Sequence, residues 1–215
     1  MHGPNHRAAN PPGRRGRNSG QALVEFALIL PIFVVLLLSI IEFMFLFNAQ
    51  LSLNFATRDA ALIAAEAGNR ANADCQILQQ INTDLNPPMD ETRVITVHIF
   101  AATETGGPLS SPLEQTYTPG GTTTCGSISV PYTVGTATYP SSIRCSDLDR
   151  TACLAATTAP GNTGVDIIGV RIDYGYRFVT PIGSAFSLIG NRTPLWGGTG
   201  MTMTVANAMR MEPIL

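Results

Sequence analysis

From Phe26 to Ile41 the chain reads FALILPIFVVLLLSII, with no charged residue, and past Glu42 the apolar character continues through FMFLF to Phe47. About 22 residues of helix make roughly 33 Å at 1.5 Å per residue, enough to cross a hydrocarbon core of about 30 Å. A core helix of a soluble protein would show a polar stripe, and this run shows none for about four turns. A cleaved secretory signal fits poorly: the run exceeds an ordinary h-region and no small-x-small site follows it. The pattern therefore predicts a retained transmembrane helix over 21–47. Pro31 lies inside it, removes one backbone donor, and is expected to kink or loosen the helix there. Glu42 falls near the outer boundary, where its carboxylate is expected to reach interfacial water.

Beyond Phe47 the period changes. Leu53, Ala56, Ala60, Ile63 and Ala67 recur at three- and four-residue steps, so the helix should continue as an amphipathic stalk until Gly68-Asn69 stops it. A second helical stretch places Cys75, Leu78, Ile81 and Leu85 on one face, and Asn86-Pro87-Pro88 ends it. These two stretches make an expected helical region over 48–86. Strand alternation follows. Ile95, Val97 and Ile99 alternate with Val94, Thr96, His98 and Phe100. Ile168, Val170, Ile172, Tyr174, Tyr176 and Phe178 share one face, with Gly169, Arg171, Asp173, Gly175 and Arg177 opposite. Met201, Met203 and Val205 oppose Thr202, Thr204 and Ala206. Three strands with one apolar face predict a small antiparallel sheet packed on the helix, an α+β domain over 87–215. Within it, the insertion 104–164 is rich in Thr, Ser, Gly and Pro, and ISVPYTV at 128–134 is its best strand candidate.

Charge gives the direction. Residues 1–20 carry Arg7, Arg14, Arg15 and Arg17 and no acid, so this basic leader is expected in the cytoplasm and everything after the span outside. With a net charge of −2, no nucleic-acid partner is expected. Cys75, Cys125, Cys145 and Cys153 all fall on the expected outer side, where disulfides persist, and their three possible pairings stay open. One pairing would tie the insertion to the helix through Cys75. Metal and cofactor signals are absent: the three histidines are His2, His6 and His98, and no Cys or His spacing suits zinc. Asp147 and Asp149 with Asp173 lack the alternating acids and glycine of a calcium loop. Asn191-Arg192-Thr193 fits a glycosylation sequon, which matters only in a eukaryotic secretory route. With no nucleophile elbow or phosphate loop, an enzyme is not expected.

The sequence GQALVEF at 20–26 sets a glycine five residues before a glutamate, directly ahead of the membrane helix. It resembles the processing site of type IV prepilin-like proteins, and GQALVEFALILP at 20–31 with NFATRDAALIAAEAG at 54–68 resembles the TadE-like family more specifically. TMTVANAMRMEP at 202–213 is similar to that family's closing strand. The family comprises minor pilins or pseudopilins of the Tad (Flp-type, tight-adherence) pilus system. The resemblance implies cleavage between Gly20 and Gln21 by a prepilin peptidase, which makes Glu25 the fifth residue of the mature chain. Gly20 suits a protease that must approach the backbone closely. A carboxylate in lipid needs a partner, and the new N-terminal ammonium, its own or a neighbour's, would supply one. The implied fold is pilin-like, and two bridges among the four cysteines, argued from their outer location, would staple the insertion. The implied partners are membrane lipid, the prepilin peptidase, the major Flp-type pilin, other minor pilins and the pilus assembly platform, with a role in surface adherence. The alternative is a permanently anchored scaffold or binding protein that never enters a filament.

Overall fold

The computed structural model describes residues 19–85, 89–109, 113–146, 165–180 and 200–211. Helix α1, Ser19–Ala67, is 49 residues long, about 73 Å at the standard rise. It runs unbroken through Pro31. Gly68 ends it: its φ of 58° lies in the left-handed region that glycine adopts at no steric cost, and its N–H donates to the Ala64 carbonyl at 3.2 Å. Helix α2, Ala73–Asp84, then packs back on α1.

Five strands follow: β1 Val94–Ala102, β2 Glu114–Cys125, β3 Ile128–Ala137, β4 Ile167–Arg177 and β5 Gly200–Arg210. They form one antiparallel sheet in the order β3-β2-β1-β4-β5. The expected rows of β4 and β5 are realised except at their ends, where Phe178 is half-buried past the end of β4 and Met201 is 37% exposed. Ile168, Val170, Ile172, Tyr174 and Tyr176 are buried, and so are Met203 and Val205. They meet Leu53, Ala56, Ala60, Ala61 and Ala64 of α1, and Cys75, Leu78 and Ile81 of α2, in a single core. The alanines matter because small side chains let a helix lie close to a sheet. The larger members, Leu53, Ile99 and Ile172 among them, are fully buried, each worth about 1.5–3 kcal/mol relative to exposure.

Three strand readings needed the tertiary structure to correct them. In β1 a bulge between Val94 and Thr96 shifts the register, so Val94 is buried and Ile95 only half-buried. Phe100, on the polar side of the alternation, is nevertheless buried. Its ring lies over Gly169, where a Cβ would come within 2.4 Å of the ring. The strand count rises from three to five because residues 114–137 of the insertion fold into the hairpin β2-β3 at the sheet edge. Its second strand contains the ISVPYTV segment.

The hairpin is held down on α2. Cys125 is disulfide-bonded to Cys75, the Tyr117 hydroxyl donates to Asp74 at 2.6 Å, and the Tyr132 hydroxyl donates to Asn82 at 2.7 Å. A register shift between Pro119 and Thr123 marks where its pairing changes phase. Cys145 is disulfide-bonded as well, with its partner outside the described residues. Beside it lies a buried polar clasp. The Arg144 guanidinium pairs with Asp74 and stands over the Tyr139 ring, 5.1 Å from its centroid. Asp166 accepts from the Tyr139 hydroxyl and from the Cys145 N–H. Burial and the neighbouring Asp166 charge push the Tyr139 phenol well above its ordinary pKa, so it remains a donor.

Candidate assembly helix and its anchor

No residue of α1 from Gly20 to Ile41 is buried. Large apolar side chains project all round it: Leu23, Phe26, Leu28 and Ile32 are 63–71% exposed. Such a surface is unstable in water and suits lipid or the flank of another helix. Two polar side chains in this half donate within the helix. Ser39 donates to the Val35 carbonyl at 2.8 Å. Glu25 accepts from the Gln21 side-chain amide at 3.2 Å, so the structure places these two residues one turn apart. Among the described residues nothing comes within 4 Å of a would-be Cβ on Gly20, and the Gly20-Gln21 peptide lies in the first turn of α1. Residues 1–18 of the basic leader lie outside the described residues.

The next residue is the one the sequence pattern misplaced. Glu42 is 3% exposed and does not reach interfacial water through a free side chain. One carboxylate oxygen accepts from the Tyr176 hydroxyl at 3.0 Å and the Val179 N–H at 3.1 Å, and the other accepts from the Thr180 N–H at 2.6 Å. Three donors suit a buried carboxylate, and hydrogen bonds to a charge are about twice as strong as neutral ones. The helix is thus fastened to the end of β4 at the point where its free stretch stops. A second fastening lies further out, where the Asn207 amide of β5 donates to the Thr57 hydroxyl at 2.6 Å.

From Glu42 onward α1 has two apolar sides. One is the core face. The other points away from the sheet and carries Phe43, Phe47, Leu51 and Phe55 at four-residue steps, then Leu62, each 41–67% exposed. The Phe43 and Phe47 rings stack with centroids 6.4 Å apart. The row therefore extends the apolar surface of the free half well past Glu42.

The sheet's opposite face holds one notable cluster. His98 Nδ1 lies 3.1 Å from Glu114 and Nε2 lies 3.2 Å from Asp173, with the Arg171 guanidinium 2.9 Å from Nδ1. Asp173, considered above for calcium, is thereby engaged by His98 and by the Thr204 hydroxyl at 2.7 Å. Asp147, Asp149, Cys153 and the sequon at 191–193 lie outside the described residues. Of the expected site residues, Gln21 with Glu25 and Cys75 with Cys125 are brought together. Glu42 joins them as a residue whose only sequence signal was a charge between apolar neighbours.

Residues 20–62 match a family model described as TadE-like protein. The matched range lies within α1, from Gly20 in its first turn to Leu62 at the end of the outward row. No curated protein and no solved structure matches the chain.

Proposed function

We propose that this TadE-like chain is a minor pilin or pseudopilin of a Tad-type pilus, without enzymatic activity. The arginine-rich leader keeps the N-terminus in the cytoplasm, α1 crosses the membrane once, and the sheet domain stands outside. The observation that carries the reading is the apolar surface of α1, which covers all faces up to Ile41 and one outward face to Leu62. A lipid anchor accounts for the first part only. The second part lies beside the sheet domain, and a neighbouring apolar helix is the natural cover for it. Burying such side chains contributes about 1.5–3 kcal/mol each at most. The partners are the major Flp-type pilin, other minor pilins and the assembly platform.

Processing follows from the same helix. A prepilin peptidase cuts between Gly20 and Gln21, and the new ammonium at Gln21 offsets the Glu25 carboxylate, in the same subunit or the next. Intact-mass analysis of the protein from native membranes tests this directly. A mature chain starting at Gln21, present also in sheared pili, is the expected result. An unprocessed chain confined to membranes would replace the reading with that of a permanently anchored scaffold.

A further inference from the structure

The two fastenings between α1 and the sheet fix their relative direction. On the helix, Glu42 and Thr57 are fifteen residues apart, about 22 Å. On the sheet side the matching positions are Tyr176 and Asn207, and Asn207 is paired with Val170. Val170 and Tyr176 are six strand residues apart, about 20 Å. Equal spans on both elements mean that β4 lies along the helix axis and runs opposite to it. Where α1 rises out of a membrane, β4 descends toward it.

The level of the bilayer follows from the free half of the helix. Gly20 to Ile41 make about 33 Å of helix, against a hydrocarbon core of about 30 Å. Glu42 therefore stands at the outer edge of the hydrocarbon, and the headgroup layer occupies roughly the next 5–7 Å. Glu42 is bonded directly to the Val179 and Thr180 N–H groups, so those residues share its height. No spacer separates span from sheet.

What the sheet presents at that height suits the position. Val179 is 66% exposed and Met201, paired with Tyr176, is 37% exposed. Arg177 is exposed, and Phe43 and Met44, the helix residues that follow Glu42, are 67% and 63% exposed. An apolar rim flanked by an arginine is the composition of a membrane-interface surface: apolar groups enter the boundary layer and guanidinium meets phosphate. We propose that the end of the sheet at Arg177, Val179 and Met201 is seated in the outer headgroup layer of the bilayer that α1 spans. The seat rests on the single-span reading above. It sets how far from the lipid the outward row at Leu51, Phe55 and Leu62 is presented to a neighbour.

Site-directed nitroxide labelling tests it. Cys75, Cys125 and Cys145 are already oxidised, so introduced cysteines can be labelled without reduction. The full-length variants L30C, V179C and E104C would be reconstituted in phosphatidylethanolamine/phosphatidylglycerol vesicles. Collisions with oxygen and with a water-soluble nickel chelate would then be compared. All three positions are exposed, so the labels do not disturb the core. The expected result is strong nickel protection at L30C, free access at E104C, and a several-fold loss of nickel access at V179C relative to E104C. If V179C reads like E104C while L30C stays protected, the seat is refuted and the span stands. If L30C is itself open to nickel, the span reading fails and the seat with it.

Discussion

The two halves of α1 are one continuous helix solving two different problems. From Gly20 to Ile41 its apolar residues are large, surround the axis and none is buried. From Glu42 to Ala67 the face toward the sheet is built of Ala49, Leu53, Ala56, Ala60 and Ala64, while the large residues Phe43, Phe47 and Phe55 point away. A lipid-facing surface needs apolar area and little precision, because lipid fills any shape. A face packed on a sheet needs close approach, because interiors are filled to crystal-like density. The position of the bulky residues therefore tells which face meets the domain and which awaits another contact.

Several changes would break or sharpen this contrast. The largest effect is expected from replacing Cys75 and Cys125 by serine. The bridge spans a sequence separation of 50, so loop-closure entropy predicts a loss of about 4 kcal/mol. Denaturant unfolding in detergent, followed by tyrosine fluorescence of the sheet domain, should show it, while membrane insertion of the free half stays intact. Next is Glu42→Ala, which strips three donors of their charged acceptor. A loss of about 3 kcal/mol is expected, with membrane retention again unchanged. Equal stability of this variant would mean that the helix and the sheet end are not fastened at Glu42.

A paired test then separates the two faces beyond Glu42. Ala60→Leu overpacks a fully buried position and should cost about 1–3 kcal/mol. Phe55→Ala, on the outward row at 58% exposure, should leave unfolding within about 0.5 kcal/mol of the parent. It should instead reduce recovery of the protein in sheared pili. The reverse pattern would invert the assignment of faces.

The smallest effect concerns pH. The Thr92 hydroxyl, opposed by partial burial and helped by the Thr92 N–H and Arg93, holds Asp90 below its usual pKa. A lowered folded pKa means that the contribution is fully present above the unfolded value of about 3.9 and is lost as pH falls through the folded one. The stability difference between the parent and Asp90→Asn should therefore be small at neutral pH and shrink in acid. A difference that grows below pH 4 would contradict the assignment.

Much of this architecture was legible in local pattern. The length of the apolar run, the stop at Gly68, the buried row of α2 and the alternation in β4 and β5 each follow from the period of neighbouring residues. The resemblance to the TadE-like family over the start of α1 was legible from GQALVEFALILP, and the family-model match covers residues 20–62; cleavage at Gly20-Gln21 and a role for Glu25 belong to the proposed function. Strand β2 was not legible. EQTYTPGGTTTC has one core-sized side chain, Tyr117, and no apolar alternation, so only pairing with β1 and β3 makes it a strand.

By itself, then, the sequence determined a helix long and apolar enough to span a membrane, an amphipathic continuation and a sheet with one apolar face, because those depend on residues a few positions apart. Tertiary structure alone decided that Cys75 bonds Cys125, that Phe100 is covered on the polar side, and that Glu42 is an anchor. Glu42 and its donors are separated by 134 to 138 residues. A carboxylate in an apolar run announces only that something must satisfy its charge. Which distant N–H and hydroxyl groups do so is settled when β4 is laid along the helix.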